Sequence, residues 1–537
     1  MTQSEVLHRL AYRHFPTTEL SAPIDWYQNP HGSSNWVHHF LSLRWLSECE
    51  DSACLRIIED FLRWLGSDSV AREFIQGQKR DHTSAIRLTV LARLLDRFGQ
   101  HRIASHVERE IYALKEELLG SQVYKTGHNH GLLIDESLLQ VAAQIPGVLE
   151  DAEVEAVLRR LEHQIDSLFD SCGYTLEHSV SYQEFNLGTL GRIMRLAGAL
   201  DVFKEHAVHH RISRIVRSSK RLLGNALRDC GEYVPFGDSF RRPSQRILNE
   251  NVGGPEGIRN AAGREGGVFV APVAGFGFYR SGDWHLGMTC SNNRTAHKQD
   301  DELSIFIEWR GQVVIDDAGY SDVDDQLRKK CRQRVSHSTI SILTSEGYLP
   351  FRTIPSPRKA WIVSYEADGF NGFAALAPLK AGGHAWRLFG LLNEQYVVVI
   401  DWLCDVPCAK TLEHRFLMGN GAEVFGTSCR VGNCVVQSFP EQDAFRVCSV
   451  DVVTASPSVA EPRTSVSWRN RAPGPGGFLV VPVGDAPPAL KIRLKRDSVV
   501  VFDGDYRSFS FQFRQGGRVP AWIRSFSENS SYGPVSC

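Results

Sequence analysis

The sequence has no long apolar run: none of its hydrophobic stretches approaches the roughly 20 residues that a bilayer-spanning helix needs, so a membrane-spanning protein is not expected. Charge of one sign is also lacking, since 60 Lys and Arg stand against 62 Asp and Glu, for a net charge of −2. That balance excludes a basic nucleic-acid coat and an acidic disordered tail as dominant themes, and no nucleic-acid partner is expected. The first residues, MTQSEVLHRLAYRHF, have no apolar core and carry Glu5, His8, Arg9, Arg13 and His14. No secretory leader is read there, so a cytoplasmic location is expected, or a periplasmic one if the N-terminus is truncated. The 12 cysteines include no Cys-x-x-Cys pair and are thinly spread, which fits reduced, mostly buried thiols rather than a disulfide scaffold. Short repeats, low-complexity tracts and sustained heptads are absent, which excludes a coiled coil.

What is present reads as globular protein of two or three domains. The chain has 537 residues, of which 42% are hydrophobic and 23% charged, an ordinary balance for a folded core. Its first half carries apolar residues at helical spacing. Ile86, Val90, Leu91, Leu94, Leu95 and Phe98 form one such stripe; Val154, Val157, Leu158, Leu161, Ile165, Leu168 and Phe169 form another; Leu55, Ile58, Phe61, Leu62 and Leu65 form a third. Many one-sided helices bury their stripes most naturally in a helical array or toroid. The period changes near residue 250, after a breaker-rich stretch from Asn251 to Gly267. Beyond it Leu303, Ile305, Ile307 and Trp309 alternate with Ser304 and Glu308, and Arg310-Gly311 can turn the chain into Val313-Val314-Ile315. Tyr396–Ile400 and Ser498–Phe502 are also strand-like, and an antiparallel sandwich is expected. The boundaries are therefore 1–250 for a helical domain, 251–267 for a connection and 268–537 for a β-sandwich.

Four polar segments are required by neither pattern. They are Gly127-His128-Asn129-His130-Gly131, Glu177 to Phe185, Arg294 to Leu303, and Ile315 to Tyr320 followed by Arg334 to Thr339. Each has a plain structural explanation taken alone. Asn129 can cap a helix, Tyr182 can be a core tyrosine with a bonded hydroxyl, His297 can be a surface residue at a strand entry, and Asp317-Ala-Gly can be a turn.

Taken in order, these segments resemble the heparinase II/III-like polysaccharide lyases, which are related to several alginate lyases. Ile24-Asp25-Trp26 and Trp36 resemble the opening of the family's substrate domain, and Asp81-His82-Thr83 with Arg87 its next helical motif. Asn129-His130, Glu177-x-Ser179-x-x-Tyr182 and Pro235-x-Gly237-Asp238-Ser239 resemble three more. His297-x-Gln299-x-Asp301-x-Leu303-Ser304, Asp317-x-Gly319 and Ser336-His337-Ser338-Thr339 resemble the last three. The resemblance implies an N-terminal (α/α) toroid followed by a C-terminal antiparallel β-sandwich, with the active site in the cleft between them. It implies cleavage of a uronic-acid-containing polysaccharide or oligosaccharide by β-elimination. Asn129 and His130 would sit at the substrate carboxylate, Tyr182 would act as base or acid, and His297 would be its partner. His82, Arg87, Glu177 and Arg294 would line the substrate.

No cofactor is required for that chemistry. The resemblance does imply a structural zinc, held by the positions of Gln299, Asp317 and His337. Here an amide stands where the pattern has a second histidine, and an amide is a poor zinc ligand beside imidazole. Gln299 is expected to hydrogen-bond Asp317 and His337 instead, keeping the shape without an ion. The partner is expected to be an anionic uronate-containing glycan, with Tyr182 tuned by cationic neighbours. Two other readings stand beside this one. A toroid glycosidase would use a carboxylate pair drawn from Glu177, Glu184, Asp238 and Asp301, and a catalytically inactive glycan-binding protein would need no proton-transfer pair at all.

Overall fold

The computed structural model describes residues 6–512 except 13–14, 68, 79, 244–265, 292–296, 322–323, 352–359, 368, 407, 440–443, 454–459, 472–474, 484–489, 496–497 and 504–505. Ten of the 11 α-helices among the described residues end by Ala226, and all but two of the 23 strands follow it. The helix-to-strand switch read from the change of period is therefore observed. The connection placed at 251–267 lies, up to residue 265, outside the described residues; the first strand after it is Gly267–Ala271. The chain divides into two compact units. One comprises Met1–Phe169, Asn186–Arg217 and Asp322–Asp325, the other Asp170–Phe185, Ser218–Ser321 and Gln326–Cys537.

The first unit is built on the expected stripes. In the helix Asp151–Leu168 the buried side chains are Val154, Val157, Leu158, Leu161, Gln164, Ile165 and Leu168, six of them from the predicted stripe. Its first turn is fixed by Glu153, whose carboxylate accepts the Glu150 N–H at 2.9 Å and binds Lys115 Nζ at 2.8 Å, so one side chain both caps this helix and ties it to the helix Ala104–Leu119. In Asp51–Ser67 the buried face is Cys54, Ile57, Ile58, Phe61 and Leu65, joined by Asp60. Asp60 is buried because it is bonded: it accepts from Trp26 Nε1 at 2.8 Å and from the Ile24 N–H at 3.3 Å. The Ile24-Asp25-Trp26 motif thus locks the chain onto this helix, with the Trp26 ring stacked 4.9 Å from Phe40 and set edge-on to Phe61 at the same separation. A short antiparallel hairpin, Val6–Leu10 with Thr18–Ser21, precedes the helices; the helical reading of this half did not include it. It buries Leu7, Leu10 and Leu20 and stacks His8 on Trp45.

The second unit is antiparallel throughout. Its 10-stranded sheet runs, in spatial order, from Arg446–Val453 through Ala460–Arg471, Thr411–Met418, Gln312–Asp316, Ile305–Trp309, Trp284–Thr289 and Phe276–Ser281 to Gly267–Ala271, with Ile340–Thr344 branching from Thr411–Met418 and Gly347–Leu349 paired to that branch. An eight-stranded sheet includes Phe370–Pro378, His384–Leu392, Tyr396–Cys404 and Gly476–Pro482. Leu286, Ile307 and Phe416 from the first sheet and Phe373, Phe389, Val399 and Phe478 from the second share one core, which makes this a sandwich. The Ile305–Trp309 and Gln312–Asp316 pair is the hairpin expected at Arg310-Gly311, with Trp309 opposite Gln312. Its alternation does not mark a solvated face, because every residue of Ile305–Trp309 is buried. Glu308 is accommodated by a buried ion pair with Arg228.

A second buried charge network links the two sheets of the sandwich. Arg387 grips Asp401 through Nε at 2.6 Å and Nη2 at 2.9 Å. His414 Nδ1 lies 2.9 Å from the same carboxylate, and its Nε2 lies 2.7 Å from Asn470 Oδ1. None of the Arg387, Asp401 or His414 side chains reaches solvent. A buried charge that loses its partner keeps its desolvation cost, so the network should fail as a unit. Asp401→Ala is expected to destabilise the sandwich by about 3–5 kcal/mol. Chemical denaturation followed by near-ultraviolet dichroism checks this, and a change of under 1 kcal/mol would show that the network carries little stability.

Candidate active site

Two polar clusters hold the residues singled out from the sequence, one in each unit. In the helical unit, the helix Asn129–Gln144 is capped by His128, whose ring accepts the His130 N–H at 3.2 Å. Asn129 is therefore the first helical residue and not the cap. Gly131 follows because a β-carbon there would collide with the Lys125 carbonyl oxygen. His130 Nδ1 lies 2.9 Å from Asp81 Oδ2, and Lys125 Nζ reaches the same oxygen at 2.6 Å. Against the cost of burial, these bonds hold the Asp81 carboxyl well below the usual carboxylate range. His82 sits between two other imidazoles, 4.5 Å from the His38 ring and 4.8 Å from that of His130. Burial, with the neighbouring His38, His130 and Arg44, keeps His82 neutral by lowering its pKa well below the ordinary value.

His38 shows how such a cluster is wired. Thr83 Oγ1 donates to the Gln78 carbonyl, so it accepts from His38 Nδ1 at 2.8 Å. His38 Nε2 then takes Arg44 Nη2 at 3.0 Å. Arg87, expected to line the substrate, is turned inward. It is 2% exposed, donates to the Leu41 carbonyl at 3.2 Å and lies over the Phe61 ring. That guanidinium joins helices and presents no face to a ligand, so Arg87 leaves the substrate-lining set.

The second unit assembles Glu177, Tyr182, Asp238, His297 and Gln299. Ser179 begins this arrangement: its hydroxyl accepts the Tyr182 N–H at 3.3 Å and donates to the Asp238 carbonyl at 2.9 Å. The Ser181 hydroxyl accepts the Phe240 N–H at 2.8 Å. The Asp238 N–H donates to the His297 carbonyl at 3.0 Å. Gly237, at φ +65°, leaves no room for a β-carbon, which would run into the His178 carbonyl oxygen and lie 3.2 Å from that of His297. Three segments distant in sequence are thus bolted together by their backbones, and the serines and glycine of the motifs are the bolts.

The side chains follow from that frame. The His297 ring stacks on Tyr182 with centroids 3.4 Å apart and planes 14° from parallel. Its Nδ1 lies 3.2 Å from Asp238 Oδ2, while its Nε2 lies 3.8 Å from Glu177 Oε1. Asp238 Oδ1 accepts from Gln299 Nε2 at 3.1 Å, and Oδ2 also takes Arg332 Nη2 at 3.1 Å. With Nδ1 turned to Asp238 Oδ2, His297 leaves Nε2 on the other side of its ring, towards Glu177. Burial, together with Tyr320, Asp238 and Glu177, pushes the Tyr182 phenol well above its ordinary pKa against the opposing charge of Arg332. The expectation that cationic neighbours lower it is corrected: burial dominates, acidic neighbours add to it, and the hydroxyl stays protonated in the free protein. Arg332 was not read from the sequence. It sits in the basic run Arg328 to Arg334, whose visible signal was only charge. Arg294 lies outside the described residues.

Asp317 and His337 are neighbours, with His337 Nδ1 3.0 Å and 3.1 Å from the two Asp317 oxygens. Ser304 Oγ donates to Asp317 Oδ2 at 2.7 Å. Gln299 does not join them as expected; its amide donates to Asp238 and, at 3.4 Å, to the Gly319 carbonyl. The donors fit a zinc ion poorly. Zinc needs its ligand atoms about 2.0–2.2 Å away, but the His337 nitrogen facing Asp317 is already its hydrogen-bond partner, and Nε2 points to the other side of the ring. Gln299 Oε1 and His337 Nε2 are buried without a hydrogen-bond partner.

Residues 263–403 match the family model described as heparinase II/III-like, C-terminal. That segment carries His297, Gln299, Asp317 and His337 but neither Asn129 nor Tyr182. No curated protein matches the sequence. Among solved structures the chain is similar to heparinase III, with TM-score 0.72 and 14% identity over 91% of this chain and 85% of that one. It is also similar to a mutant of the heparan sulfate lyase HepC from Pedobacter heparinus, with TM-score 0.65 and 15% identity over 95% and 88%. These likenesses show the fold: a helical toroid followed by an antiparallel β-sandwich, with a heparinase II/III-like domain in its C-terminal part. The resemblance read from the motifs is borne out in residues 263–403, where the family model matches, and in the fold of the chain.

Two measurements follow from this geometry. The first concerns His178, whose Nε2 lies 2.8 Å from Thr289 Oγ1. Burial, with Lys298 nearby, lowers its pKa from 6.5 to about 3. Between those values the unfolded chain binds a proton that the folded chain refuses, so stability falls as pH drops from about 7 towards 3. The unfolding midpoint of His178→Gln should fall less steeply than that of the native chain over this window; equal slopes would remove His178 as a cause. The second concerns the metal. Elemental analysis of the purified protein is expected to find no stoichiometric zinc. One zinc per chain that is lost in Asp317→Ala would overturn the reading of the donor set.

Proposed function

We propose that this protein is a polysaccharide lyase that cleaves a uronate-containing glycan by β-elimination. The observation that carries the reading is the Tyr182–His297 stack, with His297 oriented by Asp238. Elimination needs a base for the C5 proton of the uronate, an acid for the glycosidic oxygen leaving C4, and relief for the charge that develops on the carboxylate. His297 Nε2 is suited to take a proton, and the protonated Tyr182 hydroxyl to give one. Asn129 and His130 are the donors assigned to the carboxylate. The two solved structures of similar fold are named for heparin and heparan sulfate, and an anionic glycan of that broad kind is the proposed substrate class.

The carboxylates favour elimination over hydrolysis. A glycosidase needs two of them poised across the bond, one with a raised pKa. Glu184 accepts from Tyr233 Oη at 3.0 Å. Asp301 pairs with Lys298 Nζ at 2.8 Å and, despite its burial, is held down to about 2. Asp238 is committed to its three donors. The inactive-binder reading gives no account of an imidazole stacked on a phenol and oriented through a buried carboxylate.

Tyr182→Phe removes one hydroxyl and should leave the fold intact while lowering turnover on the order of 10² to 10⁴-fold. Purified protein offered a panel of uronate polymers should release unsaturated, ultraviolet-absorbing ends. Saturated ends that incorporate solvent oxygen would establish hydrolysis and sink this proposal.

A further inference from the structure

The surroundings of His297 are too acidic for the substrate proposed. Glu177 is fully buried with Oε1 3.8 Å from His297 Nε2, and Asp238 is 2% exposed with Oδ2 3.2 Å from Nδ1. An anionic sugar brought to this face meets two carboxylates in a desolvated setting, where like charges repel strongly. Among the described residues a cation answers them. Arg332 shares Asp238 Oδ2 with His297, so guanidinium and imidazole flank a single oxygen. Its side chain is 39% exposed while Asp238 is enclosed, so the guanidinium is the solvent-facing member of the pair. Among the described residues Nη2 bonds Asp238 and, at 3.5 Å, the Lys298 carbonyl. Its Nε is buried with no hydrogen-bond partner. A buried N–H left unsatisfied costs free energy, and a planar guanidinium offers paired donors matched to an oxyanion.

We propose that Arg332 anchors an oxyanion of the bound glycan, a uronate carboxylate or a sulfate ester, at the Tyr182–His297 face. The proposal rests on the lyase reading and adds to it a residue that binds substrate. Arg332 offsets the acidic pair and orients the sugar ring against the stack. Its charge lies close enough to the Tyr182 phenol to oppose the rise in that group's pKa. Arg328, which hydrogen-bonds Tyr320, belongs to the same basic segment and extends the cationic side of the site.

The experiment measures binding in the Tyr182→Phe background, where turnover does not consume the probe. Three probes are titrated calorimetrically: an unsulfated uronate tetrasaccharide, its carboxyl-reduced form, and the carboxyl-reduced form bearing O-sulfate. Arg332→Gln should weaken the carboxylated probe about 10- to 100-fold, the scale of a charge-assisted hydrogen bond, and leave the neutral probe unchanged. A matching loss for the sulfated probe alone would identify sulfate as the oxyanion. Equal weakening of all three, or of none, would overturn the proposal, because a purely structural role through Asp238 does not discriminate probes by charge. Arg332→Lys keeps a charge beside Asp238 but loses the fork. It should fold like the parent and show a smaller loss of the same selectivity, and it carries the comparison if Arg332→Gln fails to fold. The native chain's release of ultraviolet-absorbing ends is assayed separately. Its absence would remove the lyase reading, while the probe contrast still decides whether Arg332 binds an oxyanion.

Discussion

The side chain of Asp238 is the point on which the second unit's polar cluster depends. It is buried and receives His297, Gln299 and Arg332 from three directions. A carboxylate so enclosed is stable only while its donors stay in place, and each donor is in turn immobilised by it. The imidazole gains an orientation, the amide is drawn away from Asp317 and His337, and the guanidinium is held at the surface with donors to spare. Positions that look independent along the chain are one unit physically.

That carboxylate is where it is because of backbone contacts. Ser179 caps the helix carrying Tyr182 and reaches the Asp238 carbonyl, and Gly237 lets the chain pass the His178 and His297 carbonyls at a distance no other residue permits. His297 itself adopts φ +57°, a left-handed conformation uncommon for a residue with a β-carbon and held here by the surrounding bonds. The motif residues without acid–base chemistry are therefore what hold the reactive ones.

Elsewhere both units solve the same problem, the burial of charge. Arg387, Asp401 and His414 do so in the sandwich, Arg228 and Glu308 beside it, and Lys298 with Asp301 and Glu302 next to the site. In the helical unit Asp60 is sequestered by Trp26, and Asp81 by His130 and Lys125. Each group would be destabilising alone and is compensated by short bonds. Arg87 is buried too, but it rests on the Leu41 carbonyl and the Phe61 ring, so a residue in a motif proves to be a packing element.

The sequence by itself determined the large features, because hydrophobic period is a local property. Stripes such as Val154 to Leu168 can bury one side only as helices, and the apolar run Tyr396–Ile400 reads as strand. It also determined which chemical groups are present: the order of Asn129, Tyr182 and His297 and the motifs around them were legible without coordinates. Only the tertiary structure decided what those groups are bonded to. That Gln299 would choose Asp238, that Tyr182 would keep its proton and that Arg332 would stand beside it follow from contacts between segments dozens of residues apart. Burial and neighbouring charge set the protonation of a side chain, and both are properties of the assembled fold. A lone Arg in a basic run and a lone Arg in a helix read alike in sequence; one faces solvent beside a carboxylate, and the other is enclosed against a phenyl ring.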